Sequence, residues 1–251
     1  MYLHDGQMMF DNSTSPLNKG FFNGVMGWYY GGLFWDVDKT VSKLVYDETI
    51  EPVILVSVWN LPTKRGTEYM PQKMFEGHKR GTGFDGMELK KEVWIESLTS
   101  DKYLRFLVEE IKPYIDTHYR SKVDRANTYI MGSSMGGMIS AYAIAEYPSL
   151  FGGAACLSTH WPAGGDLVTD WYKDNWPKAG NHRIYFDRGT KNLDAQYGRG
   201  HQQMNAIMQE RGFSHGVDWI SKIFEGEGHM ISAWRDRLHI PLEFLLASKN
   251  D

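Results

Sequence analysis

Short unbroken apolar runs alternate along this chain with longer stretches in which apolar residues recur every three or four positions. The runs Pro52–Val58, Thr128–Met131, Gly153–Ser158, Arg183–Asp187 and Val217–Phe224 read as strands. Continuous rather than alternating hydrophobicity, clearest in Pro52–Val58, is what a strand covered on both faces requires. Helical spacing appears in Asp36–Ile50, with Val37, Val41, Leu44 and Val45 on one side. It recurs after Ser100, a candidate cap, through Leu104, Leu107, Val108, Ile111 and Ile115, with Pro113 expected to kink or shorten the helix. Met138, Ala141, Tyr142 and Ala145 define a third helix face, and Met204, Ile207 and Met208 point inward from a fourth helix over Ala195–Arg211. A last helix over Ile231–Leu246 is expected to break at Pro241. Strands alternating with helices predict a mostly parallel central sheet with helices on both faces.

Residues 10 to 40 are loop-like and rich in Gly, Asn and aromatics, and the forty residues after Asn60 form the longest irregular part, a candidate roof over a site. No repeat or linker interrupts the 251 residues, so one α/β domain is expected over 1–251. Met1–Gln7 opens almost inside a strand-to-loop transition, and a first strand of about three residues is short. One or two further strands are therefore expected ahead of residue 1, and the sequence leaves the compartment open.

Composition narrows the function. Apolar residues make up 42% of the chain, enough for a large core, and 14% aromatics with nine Trp suit an aromatic-lined cleft as well. A net charge of −4, with the Lys79-Arg80 and Lys90-Lys91 pairs as its nearest basic clusters, argues against a nucleic-acid partner. No run approaches the roughly 18 apolar residues of a membrane helix. The single Cys156 excludes an intrachain disulfide and reads as a small core residue. Zinc-type spacings, phosphate-binding loops and dinucleotide fingerprints are absent, so neither metal nor cofactor is expected.

Against that background Gly132-Ser133-Ser134-Met135-Gly136 stands out. It matches G-x-S-x-G and lies between a predicted strand and a predicted helix, the context in which a tight turn exposes a nucleophilic serine. Ser134 is the candidate nucleophile, and Ser133, one residue off centre, should point elsewhere. Met135, first in the following helix, can offer its backbone N–H to a developing oxyanion. In an α/β-hydrolase fold the acid and then the histidine follow in chain order on loops at the same sheet edge. Two carboxylates compete for the acid: Asp187, which ends its strand, and Asp194, further out on the loop and favoured for its reach. His229, in the glycine-rich Glu225–His229 segment, is the candidate base. His160 is a rival base by position and, with Trp161, is assigned to the substrate pocket wall; Trp59, at the end of an early strand, joins them. His4 falls near the second oxyanion loop, where Gln7 is the candidate donor and Gly6 allows close approach.

These residues resemble the putative-esterase family of α/β-hydrolases, which includes feruloyl and acetyl xylan esterases, formylglutathione hydrolase and enterochelin esterase. The resemblance rests on Tyr2–Gln7 with Phe10-Asp11, Arg65–Pro71, Ile130–Gly137, Glu146–Pro148 with Phe151-Gly152, Tyr185–Thr190 with Leu193-Asp194, and Gly228-His229 with Trp234-Arg235. It implies a metal-free serine esterase with Ser134 as nucleophile, Asp194 as acid and His229 as base. Trp59-Asn60 with Glu68–Pro71 is similar to the carbohydrate-esterase branch, so acyl or hydroxycinnamoyl esters of carbohydrates are the expected substrates. An acyltransferase, a siderophore or thioester hydrolase, and a non-catalytic glycan-binding module are the alternatives.

Overall fold

The computed structural model describes residues 1–11, 13–14, 34–61, 63–76 and 97–247, together with the backbone of 80–82 and 88–90. Six parallel strands form one sheet in the order β2-β1-β5-β6-β7-β8, with β1 Tyr2–Leu3, β2 Val56–Ser57, β5 Tyr129–Ser133, β6 Gly153–Leu157, β7 Arg183–Lys191 and β8 Trp219–Gly228. A separate antiparallel pair, β3 Arg80–Thr82 and β4 Glu88–Lys90, lies in the segment expected to be irregular. The helices are α1 Val37–Tyr46, α2 Arg65–Tyr69, α3 Ser100–Phe106, α4 Lys112–His118, α5 Met135–Glu146, α6 Asp166–Asn175, α7 Gly198–Glu210, α8 Ile231–Asp236 and α9 His239–Leu246.

Side chains alternate across the sheet and divide the core into two apolar layers. Tyr2, Ile130, Ala154, Cys156, Ile184 and Phe186 face α3, α5, α6 and α7. Leu3, Met131, Ala155, Leu157 and Tyr185 face α1, α8 and α9. The chain steps from β1 outward to β2, then returns to place β5 on the other side of β1. That reversal opens a crevice at the C-terminal ends of β1 and β5, where parallel sheets bind ligands.

Several local expectations are corrected. Pro52–Val58 contributes only Val56–Ser57 to the ladder, and residues 53–57 are half-buried because β2 pairs on one side alone among the described residues. An apolar run does not distinguish a central strand from an outer one. Ser100 is the first helical residue, not the cap, and its hydroxyl accepts the Gln72 N–H at 3.0 Å. Pro113 does not shorten its helix, which runs on to His118, but the helix is irregular just before it: a π-turn over Leu107–Ile111, closed by the Lys112 N–H to the Leu107 carbonyl, makes room for the ring. α5 is buried from Met135 to Ile144 rather than along one stripe, since it lies between the sheet and α2 and α6. β7 and β8 both run past their expected ends, to Lys191 and Gly228, and so carry the loop residues of the site on a paired ribbon. Between α8 and α9 the break falls at Arg237-Leu238; Pro241 sits in the first turn of α9, where a missing N–H costs nothing. The glycine- and aromatic-rich Phe21–Gly32 segment and His78 lie outside the described residues.

Candidate active site

Between the end of β5 at Ser133 and the start of α5 at Met135, Ser134 makes the turn alone. Its φ of 58° and ψ of −121° lie where L-residues carry strain, and such strain concentrates at functional positions. A Cβ on Gly132 would fall 2.6 Å from the Gly136 carbonyl carbon, so the turn closes only because that side chain is missing. The turn is pinned from both sides. The Ser134 N–H donates to the Leu157 carbonyl at 2.9 Å, and the Ser134 carbonyl accepts from the His160 N–H at 3.2 Å. Ser133 is buried, while Ser134 keeps partial exposure.

Met135, at the first helical position, has an N–H with no intrahelical acceptor. The loop after β1 forms a 3-10 turn, Gly6–Met8, entered through Asp5 in the left-handed region at φ 55°. Gly6 lies against the end of β2: its N–H donates to the Val58 carbonyl at 2.9 Å, and a Cβ there would meet the Ser57 carbonyl carbon at 2.6 Å. Gln7 is held through its own side chain, Nε2 donating to Asn60 Oδ1 at 3.2 Å. Asn60 in turn donates to Asp5 Oδ1 at 2.6 Å, and Arg65 clamps the same carboxylate through Nε at 2.6 Å and Nη2 at 2.8 Å. The Asp5 carboxylate lies beside Gly136, so the two candidate oxyanion segments are neighbours.

Asp194 sits on the 3-10 turn Asn192–Tyr197 after β7, and His229 follows β8. Their side chains meet, with His229 Nδ1 2.6 Å from Asp194 Oδ1. The second oxygen of Asp194 accepts from the Gly189 N–H at 2.6 Å and from the Ser158 hydroxyl at 2.7 Å. Burial is the largest influence on this carboxyl and favours its neutral form. The bonds from His229, Ser158 and Gly189 together outweigh burial and hold Asp194 below the usual carboxylate range. Asp187, the competing acid, is committed elsewhere: it accepts from Arg237 Nη2 at 2.9 Å, the Ser158 N–H at 3.0 Å and the Tyr185 hydroxyl at 3.0 Å.

Tyr197 connects the serine to the imidazoles. Its hydroxyl lies close enough to the Ser134 side chain to be influenced by it and shares a 2.5 Å bond with His160 Nδ1. Its ring stands edge-on to His229 with centroids 5.5 Å apart. Trp234 flanks the same imidazole at 4.8 Å. Among the described hydrogen bonds none joins Ser134 to His229; in unliganded enzymes that bond is commonly loose and tightens with substrate. His160 is pushed down to about 4, by burial first and then by the neighbouring His229 and Arg65. It is therefore neutral at pH 7, with Nδ1 engaged by Tyr197.

Two expected pocket residues are placed differently from each other. Trp161 is in the core rather than on the pocket wall, 1% exposed and edge-on to Phe186 and Tyr172 at 5.5 and 6.0 Å. Trp59 stands on the rim at the end of β2, 59% exposed. The sequence signals Tyr197 only through its place three residues after Asp194, which in a 3-10 turn shares its side. Ser158 and Arg237 have no local pattern that would single them out. Among the described residues no group of three or more His, Cys, Asp or Glu is arranged to hold a metal, and no helix is long and apolar enough to cross a membrane.

Comparison with known proteins adds a family. Residues 1–239 match the family described as putative esterase. An endo-1,4-beta-xylanase/feruloyl esterase of Xylanibacter ruminicola is 28% identical over 141 residues, which is 56% of this chain and 17% of that protein. Enterobactin esterase FES from Shigella flexneri shares the fold with a TM-score of 0.63 at 18% identity, covering 97% of this chain and 51% of that one. A ferulic acid esterase aligns with a TM-score of 0.57 at 16% identity, covering 98% and 83%. The chain thus spans about half of the first structural relative and 17% of the first sequence relative. The glycine-flanked strained serine and the family match over nearly the whole length agree: this chain belongs to the putative esterase family, on an α/β-hydrolase fold.

Proposed function

We propose that the chain is a serine carboxylic-ester hydrolase working through an acyl-enzyme, with Ser134, His229 and Asp194 as its triad. The observation that carries this reading is the 2.6 Å His229–Asp194 bond, which leaves His229 Nε2 free for the proton of the strained serine. Ser134 Oγ attacks the ester carbonyl carbon and its proton passes to His229 Nε2, while the carbonyl electron pair moves onto oxygen. The N–H groups of Met135 and Gln7 receive that oxyanion. Collapse expels the alkoxide, which takes the proton from His229. Water, deprotonated by the same imidazole, then releases the acid and restores Ser134.

Acyl or hydroxycinnamoyl esters of carbohydrates are the proposed substrates. Support comes from the xylanase/feruloyl esterase relative and from Trp59 standing exposed on the rim, a surface suited to stacking on a sugar or an aromatic acid. Fluorophosphonate labelling at Ser134, with ester hydrolysis falling about 10⁴-fold or more in Ser134→Ala at unchanged circular dichroism, is the expected result. Near-normal hydrolysis by that variant would sink the assignment. A series of nitrophenyl acetate and methyl hydroxycinnamates reads the acyl group, and a preference for acetate over every hydroxycinnamate would remove the aromatic-acid part.

A further inference from the structure

Ser158 follows β6 directly at φ 40°, a left-handed conformation that a serine adopts only when its surroundings impose it. It is fully buried, at 0% exposure, and its hydroxyl has three hydrogen-bond partners, Trp234, Arg237 and Asp194, with Asp187 behind Arg237. A hydroxyl carries one proton and two lone pairs. Trp234 Nε1 at 2.9 Å and Arg237 Nη2 at 3.0 Å are both donors without acceptor capacity, so they take the two lone pairs. The single proton is left with one direction, toward Asp194 Oδ2 at 2.7 Å. Arg237 cannot swing away, because Nε and Nη2 also hold Asp187, itself 1% exposed, at 3.1 and 2.9 Å.

We propose that Ser158 is a positioning residue for the acid of the triad: Trp234 and Arg237 orient its hydroxyl so that it acts only as a donor to Asp194, fixing which carboxylate oxygen faces His229. This rests on the triad reading above. The arrangement has a second consequence. Trp234 both donates to Ser158 and packs against the His229 ring at 4.8 Å, so one side chain sets the position of acid and base together. It also explains why Asp187 cannot exchange roles with Asp194, since Asp187 is the anchor of the guanidinium that orients the bridge. The charged and titratable groups facing Asp194 are His229, Ser158 with the Arg237–Asp187 pair behind it, Tyr197 and His201.

The test compares wild type, Ser158→Ala, Trp234→Phe and Ser134→Ala in pH–rate profiles of nitrophenyl acetate hydrolysis, with Ser158→Gly as a fold control that suits φ 40°. Ser158→Ala should lower kcat about 10- to 100-fold with KM within about threefold, the scale of a misplaced catalytic group. Removing a donor to the charged carboxylate makes the acid–base pair take up its proton more readily, so the acid limb of kcat/KM moves to higher pH. Trp234→Phe, which keeps the ring beside His229, should show the same displacement at smaller amplitude. A lowered plateau with the limb at its wild-type position, or a Ser158→Ala rate within twofold of wild type, overturns the positioning role. Ser134→Ala separates the two ideas: full activity there removes the triad itself, whereas a dead Ser134→Ala beside an unaltered Ser158→Ala removes only this inference.

Discussion

His201, on α7 and outside the proposed triad, gives a measurable pH signature. The side chain is 1% exposed; Nε2 meets the Ser221 hydroxyl at 2.7 Å, while Nδ1 has no partner. Ser221 is also bonded to Asn205, and Arg188 and Asp194 are the charges that reach the ring. Burial first, then the Arg188 charge, push the imidazole from the ordinary 6.5 down to about 4, with Asp194 opposing. Its contribution is therefore complete above the unfolded value of 6.5 and is lost as pH falls toward 4. Between pH 7 and pH 5 the unfolded chain takes up about 0.7 of a proton at this site and the folded chain about 0.1. At about 1.4 kcal/mol per pH unit, that interval costs about 2 kcal/mol, and the loss levels off near 3 kcal/mol below pH 4. His4, pushed down to about 3, and His160, to about 4, act with the same sign, so the three together should cost about 6 kcal/mol over the interval. In His201→Gln the amide can still meet Ser221, but the titration is gone. Urea unfolding of wild type and variant at pH 7 and pH 5 gives four free energies, and the difference of differences should be about 2 kcal/mol in favour of the variant. Curves for the two proteins that fall in parallel, within about 0.5 kcal/mol, would refute the buried-neutral reading.

Two further outcomes separate core from site. Gly6→Ala drives a Cβ to 2.6 Å from the Ser57 carbonyl carbon, so the loop bearing the Gln7 N–H must move; kcat should fall about 100-fold, measured with saturating nitrophenyl ester. Trp161→Ala empties a site wedged between Phe186 and Tyr172 and should cost about 3 to 5 kcal/mol in chemical denaturation, with KM for small esters unchanged in the folded fraction.

Much of this molecule is legible locally. An apolar run followed by Gly132-Ser133-Ser134-Met135-Gly136 and a helical repeat contains its own turn, because strand, strain and helix start are consecutive in the chain. The proposed acid Asp194 and the proposed base His229 follow in order, and each of the two stands after a strand. What fails is whatever depends on distant neighbours. Val56–Ser57 looked central because apolar runs do not record how many strands pair beside them. Trp161 looked like a cleft residue because it follows a strand end, yet Gly200, far along the chain, leaves room for it inside the core.

Ser158, Arg237 and Trp234 mark the boundary most clearly. Composition and spacing determined the alternating architecture, the strained turn at Ser134 and the chain order of the proposed acid and base, all of which follow from backbone periodicity and local sterics. Only the tertiary structure decided which carboxylate meets His229, since that choice depends on a guanidinium 50 residues beyond Asp187 occupying one acid and orienting the hydroxyl that holds the other. Hydrogen bonds between residues so far apart in sequence leave no period to read; they exist only once the sheet has brought the strand ends side by side.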